Sequence, residues 1–153
     1  MRNRVHGFSV AAHAIAIGAM LMLILVSEAQ AGELTVSNAW IRALPPSVPS
    51  GGYFTLHNGG NKNVSLTGAQ SPACGMLMLH KSENHGGMGG MTMMEMVDVA
   101  PGSTVSFAPG GYHLMCMDSK PILKPGGKVP VTLQFAGGAS LTAQFDVRTA
   151  TGR

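Results

Sequence analysis

The chain has 153 residues, 11% of them charged, and a net charge of +3. That length holds one domain with a modest core. The charge is too mild to argue for a nucleic-acid partner.

Arg2 and Arg4 open the chain with positive charge, and an apolar run follows over residues 8–26. Ala29, Gln30 and Ala31 then place small residues at −3 and −1 of a cut before Gly32. This order predicts a signal peptide over 1–31. An uncleaved membrane anchor is the alternative, because the run is close to spanning length. Both readings export a single domain over 32–153. Loss of Arg2, Arg4 and Glu28 leaves eight basic and six acidic residues, a net charge of +2.

From residue 34 onward there is no long helical periodicity. Short β-like runs are expected near 34–42, 52–57, 64–69, 76–80, 92–97, 104–108, 112–117, 129–135 and 140–148. Turn-forming stretches such as "LPPSVPSG", "HNGGNKN", "HGGMGG" and "KPGG" separate them. Gly, Pro, Asn and Ser supply the backbone angles that turns need. Many short strands at this spacing predict an all-β sandwich or barrel. Trp40 and Phe54 are the expected aromatic core residues. "VPVTLQF" and "SLTAQFDV" flank a Gly-Gly turn and read as a hairpin.

Methionine is the loudest signal. Of twelve, nine fall between Met76 and Met117. A residue used only to fill a core would be spread along the chain. Strand side chains alternate between faces. On 112–117 this puts His113, Met115 and Met117 on one face, opposite Tyr112, Leu114 and Cys116. On 76–80 it groups Met76, Met78 and His80 against Leu77 and Leu79. Leu and Cys suit a core, so the His/Met faces are expected to point outward. Thioether and imidazole together suit Cu(I), a soft closed-shell ion. Zn(II) would prefer Cys, His or carboxylate, and Ca(II) or Mg(II) oxygen.

The spacing His80-x10-Met91-x21-His113-x-Met115 resembles the PCuAC family of periplasmic copper chaperones, which serve the copper A centre of cytochrome c oxidase. "VSNAWIRALPP", "GGYFTLHNGG", "PGGYHLMCM" and "PVTLQF" are also similar to that family's landmarks. The resemblance implies a cupredoxin-like β-sandwich and a Cu(I) site made of His80, Met91, His113 and Met115. It implies a monomeric carrier rather than an enzyme. Its partners would be the copper A subunit of cytochrome c oxidase and a Sco-type thiol chaperone.

The chain departs from the family in two places. Met78 stands where many members carry an acidic residue. The usual M-x-M in the middle has become "MGGMTMMEM". Met88, Met93 and His85 are therefore candidates for a second, weaker site or for substitution at the first. Taken individually, Met78, Met93, Met94, Met96 and Met117 read as packing or rim residues, and His57 as a surface or structural histidine. Cys74 and Cys116 are expected to form a disulfide in an oxidising compartment, with thiolate ligation as the alternative. Copper storage or resistance is a rival function. An electron-transfer cupredoxin is a weaker one, because its site needs a Cys thiolate beside two His.

Overall fold

The structure, a computed structural model, describes residues 34–85 and 88–153, without the side chains of residues 84, 85 and 88. The expected signal peptide over 1–31 lies outside the described residues, as do the side chains of His85 and Met88.

The described chain is all β, as its turn spacing predicts. Its strands are β1 (Leu34–Arg42), β2 (Ser50–Asn58), β3 (Val64–Gln70), β4 (Met76–His85) and β5 (Met88–Met93). They continue as β6 (Val97–Val99), β7 (Thr104–Phe107), β8 (Tyr112–Met117), β9 (Lys128–Phe135) and β10 (Ser140–Arg148). Pairing runs β4-β8-β2-β1-β10-β9-β3 and returns from β3 to β4, so seven strands close into a barrel. The closing β3–β4 joint is a single rung, Ala69 opposite Leu77. Each strand has two edges, so the short strands share edges already begun. β5 continues β3's edge of β4, and β7 continues β8's edge of β2.

The barrel interior is filled by alternate residues of every long strand. Ile41, Leu56, Leu66, Leu114, Val129, Val131, Leu133 and Phe145 are fully buried. Phe54 stacks on Phe107 with ring centroids 4.2 Å apart. Each such side chain contributes about 1.5–3 kcal/mol relative to exposure. Cys74 and Cys116 are joined by a disulfide, with Cα atoms 5.5 Å apart. The bond ties the start of β4 to the inner face of β8.

Two expectations are corrected. Trp40 is not a core residue. A register shift between Ser37 and Trp40 marks a β-bulge, and Asn38 there has φ 52°. Before the bulge Leu34 and Val36 face inward; after it Ile41 does. The extra residue flips the alternation, so Trp40 turns to the outer face. The second correction concerns residues 85–96. They are not one loop followed by a strand at 92–97. β4 runs on to His85, β5 returns antiparallel to it, and a separate β6 follows at Val97–Val99.

Candidate metal centre

Register builds the centre. In the β4–β8 ladder, His80 lies opposite His113, Met78 opposite Met115, and Met76 opposite Met117. Directly paired residues point to the same side of a sheet. Leu77, Leu79, Leu114 and Cys116 take the inner side and are buried. The three His/Met rungs therefore stand together on the outer face of the barrel.

That outer face is not open at the histidines, contrary to the simple outward expectation. His80 is 8% exposed and His113 7%. Alternation fixes the side of a strand but not what lies over it. On the outer face of β2, Tyr53 is the next residue in His113's row, its ring centroid 6.4 Å from the imidazole. Trp40 stacks against Tyr53 at 4.5 Å, and the Arg42 guanidinium lies 5.7 and 5.6 Å from the Trp40 and Tyr53 ring centroids. Gly51 pairs with Met115. A side chain at Gly51 would collide with the Tyr53 hydroxyl, so its bare backbone seats the tyrosine beside the centre.

The two imidazoles stand close together. Their centroids are 5.9 Å apart in a T-shaped arrangement. With metal–nitrogen bonds near 2.0 Å, two imidazoles sharing one ion sit roughly 5–6 Å apart. His113 Nδ1 lies 3.0 Å from the carbonyl oxygen of Gly111. A carbonyl can only accept, so Nδ1 carries a proton, and Nε2 is the nitrogen left to a metal. His80 Nδ1 is buried and has no hydrogen-bond partner among the described residues. A buried polar atom without a partner is costly unless a ligand satisfies it. Burial first, and then the neighbouring His113, hold the His80 pKa below its ordinary 6.5. Both effects favour the neutral form that binds metals.

Met91 comes from β5, where it pairs with Ser82. The residue directly opposite His80 is Met93. Even so, Met91 lines one open cleft of about 160 Å³ together with Arg42, Tyr53, His113 and Met115. The hairpin thus curls Met91 over the centre, while leaving it 64% exposed. Met93 is 63% exposed beside His80. Met94 packs against the core and Met96 is exposed. His57 is remote on β2, within hydrogen-bond reach of Thr104 at 3.0 Å.

The sequence reading missed Tyr53, Arg42 and Gly51. Only the bulge in β1 and the β2–β8 register bring them beside the His pair. Among the described residues no cysteine is free, and no three of His, Cys, Asp and Glu cluster. The chemistry on offer is two imidazoles with surrounding thioethers, a donor set that fits a soft monovalent ion.

Comparison with known proteins gives three kinds of match. Residues 34–147 fit the LpqE-like family model. "Putative lipoprotein Lxx21020" of Leifsonia xyli subsp. xyli is 32% identical over 126 residues, 80% of this chain and 74% of that protein. The solution structure of CuI-DR1885 from Deinococcus radiodurans superposes with a TM-score of 0.64 at 31% identity. That match covers 82% of this chain and 85% of the other. The copper-bound PCuAC domain from PmoF2 has a TM-score of 0.63 at 22% identity, over 78% of this chain and 95% of that one, and shares the fold.

Proposed function

The chain belongs to the LpqE-like family, of PCuAC type, and from that premise we propose that it is an exported Cu(I) carrier that delivers copper to the copper A site of cytochrome c oxidase. His80, Met91, His113 and Met115 are the proposed ligands. The observation that carries the reading is the His80–His113 rung, with its partnerless buried Nδ1 and its neighbouring thioethers.

His113 would bind through Nε2, because Nδ1 is committed to Gly111. The orphaned Nδ1 of His80 is available to the same ion. Met115 supplies a thioether from the barrel wall and Met91 one from the exposed hairpin. Thioethers need no deprotonation and cannot close into disulfides in an oxidising space. An incoming ligand would displace exposed Met91 first, and the ion would leave by stepwise exchange.

The donor set also bears on direction. All four ligands are neutral, so the loaded site keeps the ion's positive charge. An acceptor offering a thiolate neutralises that charge and binds more tightly. The neutral set therefore favours handing on over storage. The Cys74–Cys116 disulfide withholds the thiolate that an electron-transfer cupredoxin would need. Export fits the lipoprotein name of the Leifsonia relative and the disulfide. A Sco-type thiol chaperone is the proposed companion on the acceptor side.

The test is an anaerobic Cu(I) titration against a chromophoric chelator, with a His113→Ala, Met115→Ala variant beside the wild type. One tight equivalent lost in the variant, followed by transfer to a soluble copper A fragment, is the expected result. Absence of tight binding in the wild type would sink the carrier reading. Tight binding without transfer would leave storage.

A further inference from the structure

Most of the methionine in this chain is not used by the centre just described. The β4–β8 ladder continues past it. Below the His80–His113 rung lies Met78 opposite Met115, and below that Met76 opposite Met117. All six side chains share the outer face, because each pair is directly opposed and successive pairs are two residues apart. Two residues along a strand span roughly 7 Å. The Met76–Met117 rung is thus roughly 14 Å from the histidines, too far to serve the same ion.

Packing does not account for this rung. Met76 is 56% exposed, and Met117 and Met78 are only partly covered. The inner positions between them, Leu77 and Cys116, already seal the barrel. An exposed strand position gains nothing from a flexible thioether that Thr or a charged residue would not supply. Three thioethers on two adjacent strands are, by contrast, a soft-metal donor set.

We propose a second soft-metal site, built from the thioethers of Met76, Met78 and Met117 alone, at the far end of the strand pair from the histidines. Met76 and Met117 face each other across the ladder, with Cβ atoms about 5 Å apart. Met78 stands on the diagonal from Met117, within reach of a long side chain. The site takes a soft monovalent ion, Cu(I) or its analogue Ag(I). It has no imidazole, carboxylate or thiolate to hold Zn(II) or Cu(II), and among the described residues no such cluster lies nearby. Met78 faces Met115 on the next rung, so the two sites adjoin and an ion can pass between them by thioether exchange. This assignment rests on the carrier reading for the identity of the ion, but not for the site itself.

The test is an Ag(I) titration of the protein labelled with 13C at the methionine methyls, followed by NMR. The expected result is two equivalents. The first shifts Met91 and Met115; the second shifts Met76, Met78 and Met117. A Met76→Leu, Met117→Leu variant keeps the volume and the strand pair, and is expected to bind one equivalent with the first step unchanged. The second-step affinity should fall at least tenfold. No second equivalent, or a second equivalent undiminished in the variant, would overturn the proposal. So would a second step confined to Met88, Met93 or Met96. The carrier reading fails separately, if Met91 and Met115 do not move while the thioether step persists.

Discussion

His113 and Met91 line one cleft from opposite circumstances. His113 is 7% exposed on a barrel strand whose inner neighbours, Leu114 and Cys116, are fully buried. Its Nδ1 is fixed by a carbonyl. Met91 is 64% exposed on a hairpin strand where a side chain added at Gly89 or Gly90 would meet only open space. One half of the centre is held by the core, and the other half is held by little more than the β4–β5 ladder. A carrier needs both. In the proposed carrier the fixed half would set which ion binds, and the loose half how readily it leaves.

The largest effect tests what holds the fixed half. A Cys74→Ala, Cys116→Ala variant releases a closure of 42 residues. It is expected to lose about 4 kcal/mol of stability, by chain entropy. Chemical denaturation of the two proteins would measure it. A loss under about 1 kcal/mol would mean that the barrel holds β8 without the bond.

The fixed half itself comes next. His113→Ala should weaken Cu(I) binding at least about 100-fold, or about 2.7 kcal/mol, with little change in melting temperature. Competition with a chelator reads the first and calorimetry the second. Equal loss of binding and fold would erase the distinction between the two halves.

The loose half should cost less. Met91→Leu keeps the apolar volume and removes only the sulfur, so about a tenfold loss of Cu(I) affinity is expected, about 1.4 kcal/mol. Most of it should appear as faster release in a stopped-flow chase with chelator. If Met93→Leu produced that loss and Met91→Leu did not, the register partner of His80 would be the true ligand.

The smallest effect is the pH dependence of the metal-free protein. The His80 pKa lies below 6.5 in the fold, by burial first and then by His113. The unfolded chain therefore binds more protons between that lowered value and about 6.5. Stability is full above about pH 6.5, declines as pH falls below it, and levels off beneath the folded value. Urea midpoints at pH 7.5, 6 and 5 in wild type and His80→Gln would show it; an unchanged slope in the variant would assign the effect elsewhere.

The His/Met faces of β4 and β8 were legible in the sequence because alternation is a local property. Leu77, Leu79, Leu114 and Cys116 sort to the inside without any knowledge of partners. Trp40 was misread because a single extra residue at the bulge inverts everything after it. The hairpin was read as a loop because "GGMGG" carries no alternation to mark a strand. Tyr53 and Arg42 were invisible as neighbours of the centre, since only the bulge in β1 and the β2–β8 register bring them there. What alternation determines could be read; what register determines could not.

The barrel closes on one rung between β3 and β4, whereas six rungs join β4 to β8. Any breathing of the barrel wall will begin at that thin seam, which has the fewest hydrogen bonds to break. The disulfide anchors β4 on the opposite side, to β8. An opening motion therefore parts β4 from β3 and carries β8 along, so the two imidazoles travel as one body. Among the joints of β4, amide exchange should be quicker at the Ala69–Leu77 rung than along the rungs beneath the histidines, which would let the molecule yield to a partner without loosening its grip on the ion.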